Sequence, residues 1–87
     1  MRVVKVPQVD EERLDDELIL LHPQTLEVKH LNETAAVLWD ALGVLPTDDD
    51  LVALLVEARP ELPPDEARTF VHAFLNDLVA AGLIERQ

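Results

Sequence analysis

The chain has no cysteine, no serine and no tyrosine, only two glycines, and just three aromatic residues, Trp39, Phe70 and Phe74. Each shortage removes a class of chemistry. Without cysteine there are no disulfides, thiol nucleophiles, iron–sulfur clusters or thiolate zinc sites, and without serine the serine nucleophile goes as well. Gly43 and Gly82 stand alone, so no glycine-rich loop cradles a phosphate. The longest apolar runs, Leu18–Leu21 and Leu51–Val56, fall far short of the roughly 20 residues that span a bilayer. Basic charge is scarce too: 7 Lys and Arg stand against 18 Asp and Glu, a net charge of −11. A surface this acidic repels phosphate backbones, so neither nucleic acid nor a membrane is expected as a partner. Met1-Arg2-Val3-Val4-Lys5 precedes no apolar signal segment, and a cytoplasmic location is expected.

What is present suffices for one small fold. With 87 residues, 48% of them apolar, residues 1–87 read as a single domain. The first third has strand character. Arg2–Val6 is short and β-rich and is closed by Pro7, and Asp10–Asp16 reads as an acidic turn. Glu17–His22 is long enough for a strand and too short for a stable helix. His22-Pro23-Gln24-Thr25 is a turn, since proline presets its second position. Leu26–Leu31 alternates apolar and polar at first and slips at His30-Leu31, which suggests a bulge or the strand's end. The remainder has helical period. Asn32 caps a helix bearing Ala35, Leu38, Trp39 and Leu42 on one face, stopped by Gly43. Thr47 and Asp48–Asp50 open a second helix with Leu51, Leu54, Leu55 and Ala58 inward, ended by Pro60. A third starts at Pro63-Pro64 and runs to about Ala81, with Gly82 as its stop and Leu83-Ile84 folding back onto the core. The expected fold is α+β: a three-stranded antiparallel sheet followed by three helices.

The third helix carries more apolar surface than one core needs. Ala67, Val71, Leu75 and Leu78 form a central stripe, widened by Phe70, Phe74 and Ala81 on one flank and Val79 on the other. Together they cover about 180°, against roughly 100° for a surface helix. One flank is therefore available to line a groove. Trp39, on the stripe of its own helix, belongs to the core. The histidines His22, His30 and His72 show no metal-ligand spacing, and capping accounts for Asp48–Asp50, so neither metal nor cofactor is expected. The chemistry left is main-chain pairing at a sheet edge beside apolar pockets.

The run Leu31-Asn32-Glu33-Thr34-Ala35-Ala36-Val37-Leu38-Trp39, preceded by Leu18–Leu21, a turn and a short strand, resembles the PqqD-like family. So do Phe74-Leu75-x-x-Leu78 and Ala81-Gly82-Leu83-Ile84, and the similarity spans about residues 3–85. It implies a winged helix-turn-helix-like domain that acts as a recognition element for ribosomally synthesised, post-translationally modified peptides. Such a domain is no enzyme. It binds the leader of a precursor peptide and presents it to a leader protease and other modifying enzymes. Carried onto this chain, main-chain pairing falls to Leu26, Glu27, Val28, Lys29 and His30, and the facing helix side to Phe70, Ala73, Phe74 and Asp77. Where many members look polar, often Asp before Val, this chain has Phe70-Val71. A more apolar groove suits a lasso-type leader with aromatic or proline anchors. The alternatives are a peptide chaperone of pyrroloquinoline quinone biosynthesis and, in another class, a winged-helix DNA-binding regulator. An exposed edge strand can also pair with its twin, so a homodimer is open.

Overall fold

The computed structural model describes residues 3–44 and 47–86. Strands β1 (Val3–Lys5), β2 (Asp10–Leu14), β3 (Glu17–Leu21) and β4 (Val28–Leu31) precede helices α1 (Glu33–Ala41), α2 (Asp48–Ala58) and α3 (Pro64–Ala80), and β5 (Ile84–Arg86) follows. β2, β3 and β4 form an antiparallel sheet in that order, and β1 pairs with β5 in a separate two-stranded sheet.

The expected three-stranded sheet and three helices are therefore present, but the sheet's membership differs from the reading above. The first strand, expected from Arg2 (outside the described residues), pairs with β5 through Val3–Arg86 and Lys5–Ile84. The acidic stretch expected to be a turn is instead β2. Its sequence Asp-Glu-Glu-Arg-Leu has little β-propensity and every residue is exposed. It is held by the hairpin whose last pair is Leu14–Glu17, closed by Asp15-Asp16 with Asp15 at φ 57°. Aspartate tolerates that left-handed conformation, but Asp-Asp is a weaker hairpin signal than Asn-Gly. β5 follows Gly82, whose φ of 74° turns the chain back so that Leu83 and Ile84 are buried. Three residues are too few for a periodic signal.

The helices start where their caps dictate. The Asn32 carboxamide oxygen accepts from the Ala35 N–H at 2.9 Å, and the Thr47 hydroxyl oxygen accepts from the Asp50 N–H at 3.1 Å. Each satisfies a donor that the helix geometry leaves unpaired. Pro64 opens α3, where its missing N–H costs nothing. One core collects Leu18, Leu20 and Leu31 from the sheet, Leu38 and Trp39 from α1, Leu51 and Leu55 from α2, and Val71, Leu75 and Leu78 from α3. Trp39 is fully enclosed, with the Lys5 ammonium 4.6 Å from its ring centroid. Arg86 pins β5 to both later helices through Asp48 at 3.3 Å and Asn76 at 3.2 Å.

Candidate functional site

The site begins with the turn before β4. His22 is buried, and its Nδ1 accepts from the N–H groups of both Gln24 and Thr25 at 3.1 Å. An accepting Nδ1 places the ring proton on Nε2. The Leu26 N–H donates to the His22 carbonyl at 3.0 Å, and the Glu27 N–H to the Thr25 hydroxyl at 3.3 Å. Pro23 has no N–H. Every main-chain donor from residue 23 to 27 is thus consumed or missing inside the turn, and Leu26 adopts a left-handed φ of 61°. Leu26 and Glu27, expected in the pairing strand, belong to this turn; the strand starts at Val28.

The phase of β4 follows from one bond. The His22 N–H donates to the Glu27 carbonyl at 2.9 Å, and β4 pairs with β3 as Val28–Leu21, Lys29–Leu20, His30–Ile19 and Leu31–Leu18. In an antiparallel pair, hydrogen-bonded and non-bonded residue pairs alternate. Glu27, Lys29 and Leu31 therefore turn their main-chain groups toward β3, while Val28 and His30 turn theirs outward. β4 ends the sheet, so these outward groups lie on an open edge. The side chains alternate as well. Leu31 is buried and Lys29 half-buried on the helix side, whereas Val28 is 60% exposed on the other. The alternation runs unbroken from Val28 to Leu31, where the strand ends as one of the two readings of His30-Leu31 expected, and its break comes before the strand, at Leu26.

Beside this edge runs a groove of about 440 Å³. Lys29, His30, Leu31 and Asn32 form one side, Ala35 of α1 the floor, and Phe70, Ala73, Phe74, Asp77 and Leu78 of α3 the other wall. It stays open because α3 leans on α2 and β5. The wide apolar arc of α3 divides accordingly: Val71, Leu75 and Leu78 are enclosed, Phe74 is 8% exposed, and Phe70 is half-buried with its ring at the groove. Of the nine residues expected, six line the groove: Lys29, His30, Phe70, Ala73, Phe74 and Asp77. Val28 contributes edge backbone, and Leu26 and Glu27 are placed in the turn. Leu31, Asn32, Ala35 and Leu78 were missed. Ala35 had a readable signal, since a small residue on the inward stripe of α1 leaves space where a leucine would fill it.

The lining of the groove is mixed: Leu31, Ala35, Phe70, Ala73, Phe74 and Leu78 are apolar, and Lys29, His30, Asn32 and Asp77 are polar or charged. The histidines do not converge: His30 touches Glu17, His72 lies 3.9 Å from Asp48, and His22 is in its turn. Among the described residues no group of three or more His, Asp or Glu side chains could hold a metal ion, and no helix is long and apolar enough to cross a membrane. What this geometry offers is a ledge of main-chain donors and acceptors above an apolar trough.

Two solved structures share this fold along its whole length. One is "TbiB1 in Complex with the TbiA(beta) Leader Peptide", with a TM-score of 0.83 and 23% identity over 100% of this chain and 98% of that one. The other is "Lasso peptide synthetase B1 complexed with the leader peptide", also at 0.83, with 20% identity over 99% of this chain and 100% of that one. No curated protein matches the chain. The family model described as "Coenzyme PQQ synthesis protein D (PqqD)" matches residues 17–84, from the first residue of β3 to the first of β5. With more than three quarters of its length so matched, the chain belongs to the PqqD family.

Proposed function

We propose that this chain binds the leader segment of a ribosomally made precursor peptide as an added strand on β4, and presents it to the enzymes that process it. The observation that carries this reading is the open edge at Val28 and His30 directly above the trough walled by Phe70, Ala73 and Phe74. An extended peptide running antiparallel to β4 would pair with the N–H and C=O of both residues, each bond contributing about 0.5–1.5 kcal/mol net. Its alternate side chains would enter the trough, where an apolar anchor contributes about 1.5–3 kcal/mol before ordering costs. The peptide has no use for the Leu26 and Glu27 N–H groups, which the turn already employs. Two structural relatives, each solved with a leader peptide, support the same reading.

The role is that of a non-catalytic cytoplasmic adaptor, a single domain over residues 1–87. The apolar trough around Phe70 favours a lasso-type leader with aromatic or proline anchors, handed to a leader protease and cyclase. The family's description favours a second reading, a precursor of pyrroloquinoline quinone biosynthesis handed to a modifying enzyme. The partner decides between them: a leader-cleaving protease for the first, a radical enzyme for the second.

The test is calorimetric titration of the chain with the leader peptide of the precursor encoded beside it. Phe70→Asp replaces an apolar wall residue of the trough with a charge and should weaken binding by roughly 30-fold or more, with the far-UV helical signal intact. Unchanged affinity removes Phe70 from the site, and absence of binding by the wild-type chain removes the reading itself.

A further inference from the structure

The pleat of the sheet sorts its side chains onto two faces. Leu18, Leu20 and Leu31 point to the helices and are buried. Ile19 and Leu21 point the other way with Val28, and all three remain at least partly exposed, Val28 at 60%. They line a shallow hollow of about 400 Å³ together with Asp10 and Glu12 of β2. The pairs Asp10–Leu21 and Glu12–Ile19 set a carboxylate directly beside each apolar side chain. Glu17 closes the rim from β3, in contact with His30. The cation of β2, Arg13, is on the opposite face and is bound to Asp40 at 2.9 Å. This outer face is thus an apolar strip fringed by acid, the composition of an interface core with a charged rim.

We propose that the outer face docks a protein surface that is apolar at its centre and ringed by Lys and Arg, and that this partner is the enzyme that processes the bound peptide. The second clause rests on the peptide-binding reading above. Charge selects the occupant. A second copy would bring Asp10, Glu12 and Glu17 of one chain against their twins, between two molecules of net charge −11, whereas a basic rim is attracted. The geometry of strand addition then ties docking to loading. A peptide paired with β4 continues the same pleat, so every second residue enters the trough and the residues between project onto the outer face beside Val28 and His30. A partner covering Ile19, Leu21 and Val28 meets those peptide side chains as well, and so prefers the loaded chain to the empty one. Coupling of this kind is reciprocal: the enzyme tightens peptide binding by the factor by which peptide tightens enzyme binding.

The experiment titrates the purified leader-cleaving protease encoded with the precursor into the chain, with and without leader peptide. The protease should bind the loaded chain roughly tenfold more tightly than the empty one. Asp10→Lys/Glu12→Lys, two exposed positions on the edge away from the peptide, and separately Ile19→Thr, should each weaken protease binding roughly tenfold while leader affinity stays within about twofold. Protease affinity unchanged in both variants, or a protease that binds leader alone as well as the loaded chain, overturns the proposal. Sedimentation that shows a wild-type dimer dispersed by Ile19→Thr overturns it in favour of self-association. Failure of the wild-type chain to bind leader is a separate result and removes the peptide reading instead.

Discussion

β2 and β4 flank the same central strand, and both expose one row of main-chain groups. β2 reads Asp10-Glu11-Glu12-Arg13-Leu14 and stands fully exposed in solvent. β4 reads Val28-Lys29-His30-Leu31 and has the α3 wall across a trough. Since β3 turns Leu18 and Leu20 toward β4, it turns Glu17, Ile19 and Leu21 toward β2, which leaves the Glu11 and Arg13 main-chain groups outward. As hydrogen-bonding ledges the two edges are equivalent. They differ in charge and in what lies beside them. Acidic side chains discourage an incoming strand at β2, the usual protection of a free sheet edge. β4 carries Lys29 but no carboxylate and has a largely apolar wall beside it, so main-chain pairing and side-chain burial act together there and not at β2.

That contrast can be broken in graded steps, the Phe70→Asp loss of trough affinity being the largest. Next is His22→Ala. It removes the acceptor of two turn N–H groups at a buried position, and should cost about 1–3 kcal/mol of folding stability by chemical denaturation. It should also loosen the start of β4 while leaving β2 as it was. A smaller effect is expected from His30→Pro, which deletes an outward N–H without touching the bonds to β3. Peptide affinity should fall by about 5–20-fold, whereas the matching change on the other edge, Glu11→Pro, should leave it unaltered. An equal loss in both would mean that the edges are not distinguished. Smallest is the effect of removing the guard: Glu11→Thr/Glu12→Thr should give concentration-dependent association in sedimentation runs that exceeds that of the wild-type chain.

The sequence carried the helices well because their signals are local. Asn32, Thr47 and Pro64 each act on their own first turn, and the stripes of Leu38–Trp39 and Leu51–Leu55 repeat at helical period. The trough was legible in part for the same reason: the α3 arc exceeds what one core needs, and Phe70 and Phe74 sit on its surplus flank. The sheet was harder to read. β2 exists through its partner strand and not through its own residues, and β1 finds β5 some 80 positions away, a pairing that no local pattern announces. The start of β4 was placed two residues early because Leu26-Glu27-Val28-Lys29 alternates as one strand would. The left-handed turn at Leu26 resets the alternation and brings Lys29 and Leu31 inward instead.

The most direct measurement is amide hydrogen exchange by NMR on the chain with and without its leader peptide. Strand addition on β4 predicts that the Val28 and His30 amides become strongly protected on loading, while those of Glu11 and Arg13 exchange as before. Protection at Glu11 and Arg13, or none at Val28 and His30 in a chain saturated with peptide, would contradict it.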